Sequence, residues 1–341
     1  MSSNPFDRQA KEASLRAESE GWDISTATDA EPGDVPIIDV SEYLETGDPA
    51  ALAELGMKLA DACENVGFWL LTGHGIDPDL TARAFAAAAQ FHALDRETKL
   101  QIEMDAPERL LAGVGYLPLG NRRLPTRSSG NRNEALVFKA GTGIDFDDNA
   151  WLEEDLVPTF RSTVTEYNDA ITALSLKLLP IYATALGVEL DFFNEAFAPP
   201  FTRLRMTHYP ASDPTVDPES EELGIQPHVD TTFMTLLVQD SPGLTIFHTP
   251  KQQWLNVPVI DDGIVVNTGE LLKTWTNDRF ISVRHFANVR EGSTSRYSIP
   301  FFVNADRDFV METIPTCHDD ENPPKYAPIS YNQSQAVAQG E

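Results

Sequence analysis

From Phe201 to Asn304 the chain reads as a succession of short strands broken by turns. The runs "FTRLRMTHYP", "FMTLLVQD", "LTIFHT", "WLNVPVI", "GIVVNTG", "SVRHFANV" and "SRYSIPFFVN" are rich in β-branched and aromatic residues and are separated by Gly, Pro, Asp or Asn. A run this short cannot bury its apolar face alone. It must pair edge to edge and then pack against a second layer. Seven such strands over about 100 residues predict a sandwich or barrel of the jelly-roll type. The expected fold class is an all-β core with flanking helices. With 341 residues, 41% of them apolar, the chain can bury a sizeable core in one large domain or two ordinary ones.

Within this region, "QPHVDTTFM" (226–234) places His228 and Asp230 two apart, with Val229 between them. Alternate residues of a strand share a face, so on a strand the pair would lie side by side. The plain alternative is a chance neighbour pair on a sheet, and His-x-Asp alone is a weak signal. A third candidate, His285, falls on another expected strand, 285 − 230 = 55 residues on. Two imidazoles and one carboxylate can take one face of an octahedron and leave open positions, which suits non-haem Fe(II) and its oxygen chemistry. Zinc with the same ligands is the rival metal. His74, His92, His208, His248 and His318 show no comparable partner pattern.

A second pair follows the same strand logic. In "SRYSIPFF", Arg296 and Ser298 share a face, and a guanidinium fork with a hydroxyl can hold a carboxylate in a fixed orientation. Arg296 follows His285 by 296 − 285 = 11 residues across an expected turn at Glu291–Ser293, so adjacent antiparallel strands would bring the two near each other. In "TRLRMTHYP", Arg203, Arg205, Thr207 and Tyr209 share one polar face, with Leu204 and Met206 opposite. A polar inner face suggests a lined cavity; a solvated sheet face with two surface arginines is the alternative.

Ahead of the strands, residues 1–33 are polar and charged and are expected to form a flexible tail. "VPIIDV" (35–40) reads as a short buried strand and "FWLLTG" (68–73) as another. Helices are expected over 48–66 and, as one continuous element, over 77–102. Each opens on Asp-Pro, an N-cap followed by a proline in the first turn. His92 then reads as an ordinary packing or surface residue. Residues 105–150 are loop-rich, with "ALVFK" (135–139) a short strand. A long amphipathic helix over 157–188 carries Val164, Tyr167, Ile171, Leu174, Leu178 and Tyr182 on one stripe, with Pro180 inside it, and should back a sheet.

Charge and composition exclude several classes. Lys and Arg number 25 against 53 Asp and Glu, for a formal charge of −28. Such a surface repels phosphate backbones, so nucleic acid is not an expected partner. Cys63 and Cys317 belong to no CxxC pair, which argues against a disulfide framework or a thiolate zinc site. The N-terminus has no signal-peptide core, and no stretch is read as approaching the roughly 20 apolar residues of a membrane span. The expected setting is the cytoplasm, with no membrane partner. Neither "GTGID" nor "TGHGID" has the spacing of a phosphate-binding glycine fingerprint.

Taken together, these residues resemble the isopenicillin N synthase-like family of Fe(II)/2-oxoglutarate-dependent dioxygenases. The resemblance runs from about residue 34 to 335. "VPIIDVSEY" looks like the family's opening strand, "ACENVGFWLLTGHGI" like its next helix–strand unit and "NRNEALVFK" like its middle segment. The core "HVD…GLTIF…W…VVNTGELLKTWTNDRFISVRH…RYSIPFF" is the most specific part. The resemblance implies a double-stranded β-helix, a cupin-like jelly roll. Residues 34–341 would form one oxygenase domain: an N-terminal helix and strand region over 34–157, a backing helix over 158–200, a catalytic core over 201–310 and a C-terminal segment over 311–341. It implies Fe(II) on His228, Asp230 and His285. It implies 2-oxoglutarate on Arg296 and Ser298, with Tyr209 assisting, and O2 as the other co-substrate. Two features depart from the family pattern. Thr207-His208-Tyr209-Pro210 stands where Asn-Tyr-Tyr-Pro is usual, so Thr207 cannot supply an amide. The short tail after "YAPISYNQ" leaves the covering C-terminal helix short or absent.

The reading that follows is hydroxylation of a small organic substrate, or its desaturation or cyclisation, with release of succinate and CO2. One alternative is an oxidase of the same fold that does not use 2-oxoglutarate, and another is a non-catalytic small-molecule-binding protein. Arg205 shares the face of Tyr209, so the substrate is expected to bring it an anionic or strongly hydrogen-bond-accepting group. An internal salt bridge, for which Glu134 is the candidate acid, is the competing role.

Overall fold

The computed structural model describes residues 24–104, 106–107, 111–120, 131–211, 223–288 and 295–334. Along the chain the strands are β1 (Thr28–Asp29), β2 (Ile37–Asp39), β3 (Phe68–Thr72), β4 (Gly115–Leu117), β5 (Glu134–Ala140), β6 (Phe201–Tyr209), β7 (Ile225–His228), β8 (Met234–Gln239), β9 (Leu244–His248), β10 (Gln253–Asn256), β11 (Ile264–Thr268), β12 (His285–Ala287), β13 (Arg296–Asn304), β14 (Val310–Met311) and β15 (Ile329–Ser330). They form an eight-stranded sheet in the order β2-β3-β11-β8-β13-β6-β5-β4 and a five-stranded sheet in the order β1-β10-β9-β12-β7. Four strands of the first (β11, β8, β13, β6) and four of the second (β10, β9, β12, β7) make the two walls of a jelly roll. Leu244, Ile246 and Leu255 from the small sheet share one buried cluster with Phe68, Leu70 and Val265 from the large sheet, so the walls pack face to face.

Period-2 alternation decides which side chains enter the space between the walls. On β8, Met234, Leu236 and Val238 join the main core on the helix side. On β13, Ile299, Phe301 and Val303 do the same, and on β6, Leu204 and Met206. Their alternates, Thr235 and Gln239, Arg296 and Ser298, and Arg205, Thr207 and Tyr209, therefore face the small sheet. The helix Phe160–Leu186 covers the outer side. Val164, Tyr167, Ile171, Leu174, Leu178 and Tyr182 are all buried in that core, and the Tyr182 ring meets Phe233 edge-on at 5.4 Å. This helix is long and apolar enough to cross a membrane by length and composition, contrary to the sequence expectation, but its apolar stripe is taken up by the core.

Both Asp-Pro starts cap helices. Asp48 accepts from Ala50 N at 3.0 Å ahead of Pro49–Asn65, and Asp77 from Asp79 N at 2.9 Å ahead of Pro78–His92. Gly67 then turns the chain at φ +73°, where a Cβ would come within 2.8 Å of the Ile281 carbonyl oxygen.

Several expectations are corrected. The 77–102 helix is two, Pro78–His92 and Arg96–Leu100. Asp95 accepts from Thr98 N at 2.9 Å and Thr98 Oγ1 at 2.8 Å, and this local cap starts a new helix in place of another turn of the old one. Residues 24–33 are not a free tail. Thr28 and Asp29 pair in parallel with Leu255 and Asn256, while Ile24 and Ala27 pack on Trp254, Phe247 and Phe286. Residues 1–23 of the expected tail lie outside the described residues. Of the expected strand over 35–40, Val35, Ile38 and Val40 are buried as read, but the strand itself spans only Ile37–Asp39 and its other residues are exposed at the sheet edge. His285 and Arg296 lie on opposite walls and not on adjacent strands, and the expected turn at 291–293 lies outside the described residues. Residues 331–334 are helical, and the chain beyond them also lies outside.

Candidate metal and co-substrate site

His228 and Asp230 do not share a strand. β7 ends at His228, and Asp230 sits in the turn leading to β8. They still converge, because His285 on β12 is paired directly opposite His228 in an antiparallel register. Asp230 Oδ1 lies 3.7 Å from His228 Nε2 and 3.8 Å from His285 Nε2, and the two imidazole centroids are 4.3 Å apart. The three ligand atoms fall within 4.8 Å of one another.

Neighbouring groups orient all three. His228 Nδ1 donates to the Gln226 carbonyl at 2.8 Å, and His285 Nδ1 donates to the Val283 carbonyl at 3.3 Å. Each ring thus carries its proton on Nδ1 and turns the Nε2 lone pair toward Asp230. Asp230 Oδ2 accepts from Thr235 Oγ1 at 2.8 Å and Asn267 Nδ2 at 2.9 Å, which leaves Oδ1 for a cation. Partial desolvation of the ring, then the neighbouring His285, lowers His228 against the opposing pull of Asp230, which favours the neutral form that can ligate. Burial alone would raise Asp230, but the two histidines and the hydrogen bonds from Asn267 and Thr235 hold it below the usual carboxylate range. Two imidazoles with their Nε2 atoms turned inward and one ionised carboxylate, clustered on one side, fit Fe(II) with open positions.

The second constellation also assembles. Arg296 is 2% exposed, and its guanidinium carbon lies 4.7 Å from the centre of the Tyr209 ring. Arg296 pairs across the sheet with Tyr209, and Ser298 with Thr207. Tyr209 Oη and Ser298 Oγ are 3.4 Å apart. One edge of the guanidinium is held by the protein: Nε donates to Ser241 O at 3.1 Å and Nη2 to Gln239 Oε1 at 2.9 Å. Nη1 is buried without a partner among the described residues. A buried donor of this kind calls for an acceptor, and a carboxylate fits. Gly243 allows the approach, since a Cβ there would lie 2.8 Å from Arg296 Nε.

Arg205 lies on the same inner face, near enough that its charge depresses His228. Its Nη2 donates to Asn133 Oδ1 at 2.7 Å, and Asn133 Nδ2 in turn donates to Gly224 O at 2.6 Å. Glu134, the acid considered for Arg205, points to the helix side and meets different partners. Its Oε2 accepts from Lys99 Nζ at 2.8 Å and from the Tyr116 hydroxyl. Its Oε1 accepts from His208 Nδ1 at 2.8 Å and lies 3.5 Å from His92 Nδ1. His92 is thus a buried packing residue, as the sequence reading has it, but it and the partly buried His208 also share a cluster around Glu134 that the sequence reading does not contain. Three of its residues have metal-ligand chemistry, but the Lys99 ammonium on the same carboxylate opposes a divalent ion there.

Sequence reasoning does not single out Thr235, Asn267 and Gln239. The available signal is parity: each is a polar residue on the inward-facing alternates of an otherwise apolar strand.

Comparison with known proteins agrees with this geometry. Residues 201–305 match the 2OG-Fe(II) oxygenase superfamily, and residues 35–154 match the N-terminal region of non-haem dioxygenase in morphine synthesis. The chain is 34% identical over 309 residues to the 2-oxoglutarate-Fe(II) type oxidoreductase hxnY of Emericella nidulans, covering 86% of each chain. It is 30% identical over 296 residues to the 2-oxoglutarate-dependent dioxygenase citB of Monascus ruber, covering 82% of this chain and 87% of that one. Among solved structures, a full-length Neurospora crassa protein in complex with alpha-KG and thymine is similar at a TM-score of 0.79 and 26% identity, over 92% of this chain and 99% of that one.

Proposed function

Since this chain belongs to the 2OG-Fe(II) oxygenase superfamily and is an Fe(II)- and 2-oxoglutarate-dependent dioxygenase, we propose that it oxidises a small molecule whose anionic or strongly hydrogen-bond-accepting group is held by Arg205. In this reading His228, Asp230 and His285 hold the iron, while Arg296, Ser298 and Tyr209 hold the far carboxylate of 2-oxoglutarate. Bound iron, with 2-oxoglutarate and O2, supplies the oxidising power, giving succinate, CO2 and an oxidised substrate.

The residues of the chain do the positioning. Gln226 O and Val283 O keep both imidazoles in the ligating tautomer. Thr235 and Asn267 keep Asp230 ionised and turned. Arg296 and Ser298 set one end of the co-substrate, so its keto acid end is directed at the triad. Arg205 reaches the same space from the next rows of β6, where the amide of Asn133 fixes one arm of its guanidinium.

The observation that carries the substrate class is this cationic side chain on the inner face beside His228, in a protein whose overall charge is −28. Thymine, present in the Neurospora crassa complex, is a small ring with carbonyl acceptors and supports extending the class from carboxylates to ring amides and phenols. The test is a screen of carboxylic acids, phenols and cyclic amides for substrate-stimulated succinate release. With the substrate found, Arg205→Met should lower kcat/KM about 10- to 150-fold, the size of a hydrogen bond to a charged group. Uncoupled 2-oxoglutarate turnover should change little. Unchanged kcat/KM in Arg205→Met would sink the substrate assignment and leave the metal and co-substrate roles standing.

A further inference from the structure

On the inner face of the large sheet, Ser298 is flanked by two polar side chains to which the proposed function gives no ligand contact. Gln239 on β8 pairs with Ser298 on β13, and Ser298 pairs with Thr207 on β6. The three are cross-strand neighbours on one face. Gln239 is 9% exposed and Thr207 is fully buried. Gln239 Nε2 and Thr207 Oγ1 are both buried without a hydrogen-bond partner among the described residues, as is Arg296 Nη1. Native interiors satisfy almost every buried polar atom, so three orphan groups around one hydroxyl mark a place where a polar ligand belongs.

Gln239 is bound at only one end of its amide. Oε1 accepts from Arg296 Nη2 at 2.9 Å, and this contact assigns the other amide atom as Nε2, a donor. The side chain therefore presents two donor hydrogens on the side away from its bond to the guanidinium. Arg296 presents Nη1, because its Nε and Nη2 edge is already engaged by Ser241 and Gln239. A carboxylate, with about four acceptor sites on two oxygens, can take both donors and the Ser298 hydroxyl together.

We propose that Gln239 contacts the distal carboxylate of 2-oxoglutarate directly, donating from Nε2 while its Oε1 orients Arg296. Gln239 is thus a binding residue for the co-substrate as well as a positioning residue for the arginine. The inference rests on the assignment of Arg296 to 2-oxoglutarate, and the experiment separates the two.

The measurement is calorimetric titration of 2-oxoglutarate into the full chain loaded with Mn(II) in place of iron, without O2. Oxalate, which lacks the distal carboxylate, is titrated in parallel. Gln239→Leu should weaken 2-oxoglutarate binding about tenfold or more and leave oxalate binding unchanged. Gln239→Glu keeps an acceptor for Arg296 but replaces the donor with a negative charge, and it should weaken 2-oxoglutarate further while the unfolding temperature holds. The deciding step is a double-mutant cycle with Arg296→Met. A direct contact predicts that Gln239→Leu still costs severalfold or more in the Arg296→Met background. If the loss vanishes there, Gln239 acts only through Arg296 and the direct contact is overturned. If Arg296→Met alone leaves 2-oxoglutarate affinity unchanged, the Arg296 assignment fails first. If Gln239→Leu is silent while Arg296→Met is not, only the Gln239 inference fails.

Discussion

Replacing His228 with alanine should abolish iron-dependent succinate formation and leave a folded protein. Among the three proposed ligands this is the clean deletion. The His228 side chain is 39% exposed, whereas those of Asp230 and His285 are 7% and 9% exposed. Its removal breaks one hydrogen bond, to Gln226 O. Removing Asp230 would instead orphan Asn267 Nδ2 and take one of the two partners of Thr235 Oγ1, and removing His285 would open a hole against Phe68, whose ring lies 5.2 Å away. Turnover should fall by well over a hundredfold, since loss of an outer partner of a metal ligand already costs about 10- to 100-fold. A second readout does not depend on turnover. Metal at about 100 times its Kd stabilises a fold by about 2.7 kcal/mol, so Mn(II) should raise the wild-type unfolding temperature by about 4 °C. A chelator should reverse the shift, and His228→Ala should show none of it. A His228→Ala protein with wild-type turnover and an intact metal-dependent shift would remove His228 from the site.

How far this site can be read from the sequence depends on the range of each interaction. His228 and Asp230 are close in sequence and stand out as a pair. The expected reason for their convergence, a shared strand, does not hold, because β7 stops at His228 and the turn brings Asp230 back. His285 is found by residue type and strand context, and the cross-strand register with His228 supplies the contact. Arg296, Ser298 and Tyr209 are legible through parity on β13 and β6, since a two-residue spacing survives folding into a sheet. The wall on which a strand lies is not legible. Only the strand order shows that His285 and Arg296 sit on opposing sheets. The helix break at Asp95 escapes a reading by periodicity because apolar spacing continues through it, while the Asp95 cap to Thr98 is a local competitor that periodicity does not register. The pairing of β1 with β10 escapes it because a short polar strand has no apolar pattern to reveal it.

The buried cluster behind β6 is the least legible feature, and it carries the largest expected effect on stability. His92, Lys99, Tyr116, Glu134 and His208 come from five separate segments, each unremarkable alone. Glu134 is the acid that meets the other four. Lys99 is 7% exposed and donates also to the His92 carbonyl at 3.0 Å, which cannot balance its charge. Glu134→Leu would leave that ammonium buried without this counter-charge and should destabilise the fold by about 3 to 5 kcal/mol near pH 7. Glu134→Gln keeps the shape but loses the charge, and its amide presents donors to groups that already donate, so it should cost more than about 1 kcal/mol.

The pH dependence identifies the cause. Burial would raise the Glu134 carboxyl, but the hydrogen bond from His208, the His92 ring beside it and the hydrogen bond from Lys99 outweigh it and hold the group far below its ordinary 4.5. A carboxylate depressed in the folded state stabilises fully above the unfolded value and loses that contribution as pH falls from about 4.5 toward the folded value. The stability gap between wild type and Glu134→Gln should therefore be widest near neutrality and narrow steadily below about pH 4.5. Urea unfolding of both proteins across that range measures it directly. A gap that stays constant into acid would show that Glu134 contributes by shape and not by charge. The effect should also reach the substrate side of the sheet. Asn133, the partner of Arg205, is the residue before Glu134, and Glu134 is paired across β5 and β6 with His208, three residues beyond Arg205. Loosening that register in Glu134→Leu should raise the KM for substrate more than it weakens 2-oxoglutarate, which in the proposed reading is held mainly by Arg296 and Ser298 on β13.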